Sequence, residues 1–401
     1  MSNVTLSIII PTKNRFHYAL DCISSILSSG YTDFELIIED NSDTLELYNY
    51  VMSNINDKRL VYNYNSKKIS FVENFDNAVS RANGYYAIII GDDDGIDMRI
   101  IDLCRWAKEK EIDAIKLALN ASYVWPGTFT DKTKVGELII RGIKVKIKSI
   151  NPKNSVVKMF RAGSFRYQDY KMPQIYHGII RMEAFNKVKN TTGKYFGGLT
   201  PDIYSSVALS FVVKKMVLVN YSFTLPGVCY QSGSADSKLG KHTGELEDSP
   251  HFSGHTNYVW DSNIPNFYSV DTIWGDSAIK AVVDMEKSNL INELNMFKMT
   301  ISLVYYYKNF KNRILHHYCV SKNIKSNLFI DAYFYTLSKA FGLNKFLKRS
   351  IYYIIRKILG RKVILNVGSA SEAISIIHHY NDRIGYTRKY SKSKVIYEKK
   401  C

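Results

Sequence analysis

Three short runs of almost wholly apolar residues constrain this chain more than any other feature. They are Leu6–Ile10, Phe34–Ile38 and Tyr85–Ile90. Each stops at a polar or acidic turn: Pro11–Arg15, Glu39–Ser42 and Gly91–Gly95. A strand that is apolar on both faces must be covered on both faces, which is the environment of a parallel sheet between helices. The intervening segments carry helical spacing. Ala19, Ile23, Ile26 and Leu27 share one face, residues 45–55 read as a helix, and Phe71, Phe75, Ala78, Val79 and Ala82 line another over 71–83. Gly84 is expected to cap that last helix at its C-terminus. Leu60–Tyr64 and Ile112–Leu119 read as strands and Ile100–Lys110 as a helix. The rhythm predicts an α/β fold with a mostly parallel sheet flanked by helices.

Beyond residue 120 the pattern loosens. Gly136–Ile150 suggests a hairpin or edge strands, Ile175–Arg181 a strand and Met182–Val188 a helix. Thr200–Pro201–Asp202 has the form of a helix start, with Thr as N-cap, Pro in the first position and an acid in the first turn. That helix is expected to run to about Val213. Residues 226–258, rich in Gly, Ser, His and Asp, read as a long functional loop. From 271 onward the pattern is mainly helical. The expected divisions are 1–120 and 121–270, two halves of one domain, and a C-terminal region, 271–401.

The chemistry sits at the strand ends, where open α/β sheets bind ligands. Asp92, Asp93 and Asp94 follow the third run between glycines. Adjacent carboxylates repel and call for a cation. Asp92 and Asp94, two apart, can share one Mg²⁺ or Mn²⁺ and bridge it to phosphates. A solvated acidic turn is the other reading. The turn Pro11–Thr12–Lys13–Asn14–Arg15 offers polar groups and two cations to a nucleotide, or is only a strand-to-helix loop. Asp40 can accept from a base N–H, cap the next helix, or do both. Neither the glycine-rich dinucleotide fingerprint nor a P-loop is present.

The order SIIIPTKNR, LIIEDNSD, NGYYAIIIGDDDG resembles the N-terminal half of glycosyltransferase family 2, strongly over residues 4–120 and loosely over 170–235. The resemblance implies a GT-A fold and an inverting transfer from a nucleotide-diphospho-sugar, with a UDP-sugar first, to a hydroxyl of a glycan or lipid-linked glycan. The setting it implies is bacterial surface polysaccharide synthesis. It assigns Pro11, Thr12, Asn14, Arg15, Asp40, Asn41, Asn74, Asp92 and Asp93 to the donor. It assigns Asp94 first and Asp92 second to Mn²⁺ or Mg²⁺. It makes Asp202 the catalytic base, with Asp169 and Asp236 as the alternatives, although an acid in a first helical turn is favourable without any catalysis. Acceptor-side roles fall to Tyr176, His177 and the loop Gly227–Gly233. Glu39–Asp40 departs from the family's usual Asp-Asp pair, which leaves the base open. Two rivals remain. A sugar-1-phosphate nucleotidyltransferase would need a glycine-rich loop where Thr12–Arg15 has none. A non-catalytic nucleotide-sugar-binding protein would not need Asp92, Asp94 and Asp202 intact.

Charge divides the chain unevenly. The net charge is +17, and the last 115 residues hold 22 Lys+Arg against 5 Asp+Glu, so the whole excess lies there. Residues 343–359 place Leu343, Phe346, Leu347, Ile351, Ile354, Ile355 and Ile358 on one face, with Lys345, Arg349 and Arg356 opposite. Such a helix suits an anionic membrane surface, or packs on a core with its basic face solvated. No nucleic-acid-binding motif accompanies the charge, so no nucleic-acid partner is expected. Five scattered cysteines, no secretory signal and no run of about 18 apolar residues predict a cytoplasmic protein, peripheral on the inner face of the membrane.

Overall fold

The computed structural model describes residues 4–129, 135–141, 147–232, 242–252, 258–358 and 361–383, with side chains excepted at 352–358 and 380–383. Asp236, Gly233, the side chains of Ile354, Ile355, Arg356 and Ile358, and Cys401 lie outside the described residues.

An eight-stranded sheet forms the centre. Its order is Leu60–Tyr64, Phe34–Asp40, Leu6–Thr12, Tyr86–Ile89, Gly178–Arg181, Ala114–Leu117, Met216–Val219 and Ile147–Ile150. The first four strands are parallel, with Ile8 beside both Leu36 and Ile88. Gly178–Arg181 is antiparallel to both its neighbours, and Ile147–Ile150 is antiparallel at the edge. The apolar runs alternate between two cores. Ile8, Ile10, Leu36, Ile38 and Ile88 pack with helices Phe16–Leu27 and Ile100–Glu109. Ile9, Ile37 and Ile89 pack with Phe71–Ser80, Met182–Thr192 and Pro201–Val212. The fold is therefore the expected mixed α/β sandwich.

Two local expectations need correction. Gly84 does not cap a helix, because Phe71–Ser80 ends earlier with Arg81 as its C-cap. Gly84 instead lies against the first strand, where a Cβ would come 2.6 Å from the Ser7 amide nitrogen. Thr200 holds the N-cap position, yet its hydroxyl is buried without a partner and caps nothing. The amides of Leu199 and Thr200 are taken by Ser277 Oγ at 3.0 and 3.2 Å. Of the two readings of 136–150, the hairpin is absent among the described residues and the edge strand is present. Glu137–Arg141 joins a second, four-stranded sheet, and Ile147–Ile150 edges the first.

The basic C-terminal region is mainly helical, but it returns to the body. Arg361–Leu365 pairs antiparallel with Glu137–Arg141. Helix Ala370–Arg383 buries Ala370, Ala373 and Ile377 against Tyr123, Trp125, Leu225 and Cys229. Before both in the chain runs the long helix Leu328–Ile358. It docks through Phe334, which lies 5.3 Å from Phe297 ring to ring, and through Lys345, whose ammonium lies 4.3 Å from the Tyr306 ring. The opposite stripe faces outward: Leu343, Phe346, Leu347 and Ile351 are 62, 64, 53 and 58% exposed. No helix of the described residues is long and apolar enough to cross a membrane.

Candidate active site

The turn after the first strand closes on the acidic triplet. Thr12 Oγ1 donates to Asp92 Oδ2 at 2.6 Å, and Arg15 Nη1 donates to Asp92 Oδ1 at 2.7 Å and lies 3.6 Å from Asp93. The other Arg15 nitrogen donates to the Gln231 carbonyl at 2.6 Å. One side chain thus joins three segments distant in sequence. Asp94 turns elsewhere and accepts from the Gly91 and Gly227 amides, each at 2.6 Å. A Cβ on Gly227 would come 1.8 Å from the Asp93 carbonyl oxygen, so this approach requires glycine. Asp93 Oδ2 accepts from the Cys229 amide at 3.1 Å, and its carbonyl accepts from Trp125 Nε1 at 2.8 Å.

All three carboxylates are buried. Desolvation pushes Asp92 up to about 6 despite Arg15, and Asp94 up to about 7 despite its two amides. It raises Asp93 as well, with Asp94 adding to the effect. Burial alone would lower the Arg15 guanidinium, but Asp92 and Asp93 raise it. Tyr176 and His177 both sit against this cluster. His177 Nε2 is 3.4 Å from Asp94 Oδ2, burial lowers the ring to about 4, and it is therefore neutral at pH 7. Its Nδ1 is buried without a partner.

The second strand's end is a separate network. Asp40 accepts from Tyr62 Oη at 2.6 Å and from the Ser42 amide at 2.9 Å. It caps no helix, since the next one begins at Glu46. Asn41 Nδ2 holds the carbonyls of Asn65 and Lys67 at 2.8 and 2.7 Å. Asn14 Nδ2 donates to Asp43 at 2.7 Å, while the Asp43 amide donates back to Asn14 Oδ1 at 2.8 Å. Pro11 pairs in register with Glu39. Glu39 itself is fully buried and held by Arg81 and Asn63, both at 2.7 Å, so its carboxyl serves the fold. Asn74 is buried beside it, with Nδ2 3.5 Å from the Glu39 carbonyl oxygen and Oδ1 without a partner.

Asp202 stands in the first turn of Pro201–Val212. Its Oδ2 accepts from Tyr167 Oη at 3.1 Å, and burial raises its pKa above the ordinary carboxylate value. Tyr167 packs edge-to-face on Trp274 at 5.2 Å. Tyr62, Trp125 and Tyr167 were not singled out by sequence; no local motif marks any of them.

The donor set at Asp92–Asp94 suits a hard divalent cation, being three buried carboxylates against one guanidinium. No trio of metal-binding side chains converges among the described residues. Two carboxylates with substrate phosphates completing the shell are what Mg²⁺ commonly accepts.

Residues 7–169 match the family model described as Glycosyl transferase family 2. It is 35% identical over 95 residues to the putative colanic acid biosynthesis glycosyl transferase WcaA of Escherichia coli (strain K12), which is 23% of this chain and 34% of that one. It is 26% identical over 198 residues to the glycosyltransferase GlyG of Streptococcus pneumoniae serotype 4, which is 48% of this chain and 61% of that one. The match therefore spans about a third and about three-fifths of these relatives' lengths. The crystal structure of S. aureus TarS 1–349 in complex with UDP-GlcNAc is similar at TM-score 0.44 and 12% identity, over 81% of this chain and 93% of that one.

Proposed function

We propose that this chain transfers a sugar from a nucleotide-diphospho-sugar, with a UDP-sugar first, to a hydroxyl of a glycan or lipid-linked glycan, with inversion, in bacterial surface polysaccharide assembly. The observation that carries this reading is the closure of Thr12 and Arg15 from the first strand's end onto Asp92, inside a family 2 segment. The polysaccharide setting is supported by the description of the WcaA relative.

Each group has a task. Arg15 and the polar turn at Thr12 and Asn14 receive the diphosphate. Asp40 accepts from a base N–H through the lone pairs that its two hydrogen bonds leave, with the unpartnered Asn74 Oδ1 as a second acceptor near the same strand end. Mn²⁺ or Mg²⁺, held by Asp94 and Asp92, would supply positive charge against the departing diphosphate. Asp202 takes the acceptor's hydroxyl proton as that oxygen bonds to the sugar's C1 from the opposite face. The bond from C1 to the diphosphate oxygen breaks, and its electron pair leaves with the nucleoside diphosphate.

A thermal-shift panel of UDP-, GDP- and dTDP-sugars with Mn²⁺ tests the donor. One nucleotide should dominate, with about 2.7 kcal/mol of stabilisation at a hundredfold excess over Kd. No stabilisation by any of them would remove the reading.

Attachment at the inner face of the cytoplasmic membrane belongs to the same proposal. The outward stripe Leu343, Phe346, Leu347 and Ile351 has Lys339 and Lys348 near it, a pairing of apolar and basic groups that suits anionic lipid. Phe346→Glu with Leu347→Glu in the full chain should lower co-sedimentation with phosphatidylglycerol vesicles at least tenfold. Equal binding by the variant and the wild type would locate the lipid contact elsewhere or remove it.

A further inference from the structure

Beside Trp274, which packs edge-to-face on Tyr167, lies a cavity of about 350 Å³. Its walls come from three places: the turn Tyr167–Asp169 with Arg166 before it, residues His242 and Thr243, and the start of helix Val270–Asp284 with Tyr307 beyond. Nothing in the donor reading uses it.

The lining has a particular composition. Trp274 is half-buried and contributes an indole wall, with the Tyr307 ring beside it. Around these rings stand a guanidinium (Arg166), an amide (Gln168), an imidazole (His242) and a carboxylate (Asp169). A pyranose ring presents a patch of C–H groups to an aromatic face and a girdle of hydroxyls to planar polar groups. An apolar wall with a few placed polar groups in a cleft of this size is the usual form of a small-ligand site.

The wall is also held in place. Tyr307 Oη donates to Asp271 at 2.6 Å, and Asp271 lies 3.7 Å from Arg166. Arg166 rests over the Tyr306 ring at 5.0 Å. Lys116, largely buried, donates to the carbonyls of Gln168 and Tyr170 at 3.0 and 2.7 Å. His242 is hydrogen-bonded to Tyr268. Arg166, Asp271, His242, Tyr307 and the backbone of the Gln168 turn are therefore held before any ligand arrives, which lowers the ordering cost of binding.

Position ties the cavity to the reaction. Tyr167 touches both sides, donating to Asp202 at 3.1 Å and packing on Trp274 at 5.2 Å. Trp274 and Asp202 are thus linked through one side chain. We infer that this cavity is an acceptor-glycan subsite that holds a sugar ring against Trp274, next to the ring whose hydroxyl faces Asp202. The subsite rests on the glycosyltransferase reading for its purpose, but its sugar affinity can be measured alone.

The chain has four tryptophans, Trp106, Trp125, Trp260 and Trp274, so a 5-fluorotryptophan-labelled protein gives four fluorine signals, with Trp274→Phe assigning the one of interest. Cellobiose, lactose and N,N′-diacetylchitobiose are titrated to tens of millimolar. At least one should shift the Trp274 signal saturably and leave that of Trp106 unmoved. Gln168→Ala with Asp169→Ala, both exposed positions, should weaken that disaccharide at least tenfold with an unchanged melting point. The shift produced by UDP with Mn²⁺ in a melting assay should be the same in this variant as in the wild type. Absence of any saturable Trp274 shift, or an undiminished one in the double variant, overturns the subsite. If the disaccharide binds while no sugar nucleotide stabilises the protein, the subsite stands and the donor reading falls.

Discussion

Asp202→Asn should lower sugar transfer about 10²- to 10⁴-fold, the usual worth of a positioned proton acceptor, while UDP still raises the melting point as in wild type. The geometry explains why the loss should be clean. Asparagine keeps the volume and can still accept from Tyr167 Oη. What it loses is the ability to take a proton. An acid in a first helical turn is also worth about 0.3–1 kcal/mol to the helix, so a small fall in stability is expected whatever the catalytic role. The rate decides between the two. A thousandfold loss with a melting point within a few degrees assigns the base. Transfer at the wild-type rate would confine Asp202 to helix stabilisation and pass the role to Asp169, exposed at the cavity rim.

The strands, helices and strand-end turns of the first 120 residues were legible because they depend on local periodicity. Leu6–Ile10 and Phe34–Ile38 are apolar enough that no other burial pattern suits them. What local pattern could not carry was long-range pairing. Arg361–Leu365 is a short, mostly exposed strand bearing two cations, and nothing in it names Glu137–Arg141 as its partner. Gly84 misled for a related reason. It follows a helical stretch closely enough to look like a cap, while its real constraint is a strand nearly eighty residues earlier. The site shows the same division. Asp92, Asp94 and Arg15 were legible as residue types at strand ends, but the tie of Asp94 to Gly227 and of Asp93 to Trp125 needs the folded chain. The basic excess was visible in composition, yet Lys345 turns inward over Tyr306 and the apolar stripe faces out.

Asp94→Ala should abolish metal-dependent donor turnover, with a loss of at least about a thousandfold, since charge placed against a leaving group is commonly the largest catalytic contribution. Two effects on stability oppose each other. The Gly91 and Gly227 amides lose their acceptor, at about 1–3 kcal/mol for each buried donor left unmade. Against this, a carboxylate that burial has raised to about 7 no longer has to ionise in the interior. The sign follows from that shift. The folded state holds this proton more tightly than the unfolded chain, so its contribution is present below the ordinary carboxylate pKa and is lost as pH rises through about 7. The empty wild-type protein should therefore lose stability between about pH 4 and 7 relative to Asp94→Ala, with Asp92, raised to about 6, titrating inside the same window in both. Cation binding requires the ionised carboxylates, so stabilisation by Mn²⁺ with UDP should run the other way and weaken as pH falls from 8 to 6. Melting curves across that range, with and without Mn²⁺ and UDP, measure both slopes on the same protein. A variant that melts like wild type, still responds to Mn²⁺ with UDP and still turns over donor would show that Asp94 serves only to tie Gly227 to Gly91, and that the cation is held elsewhere.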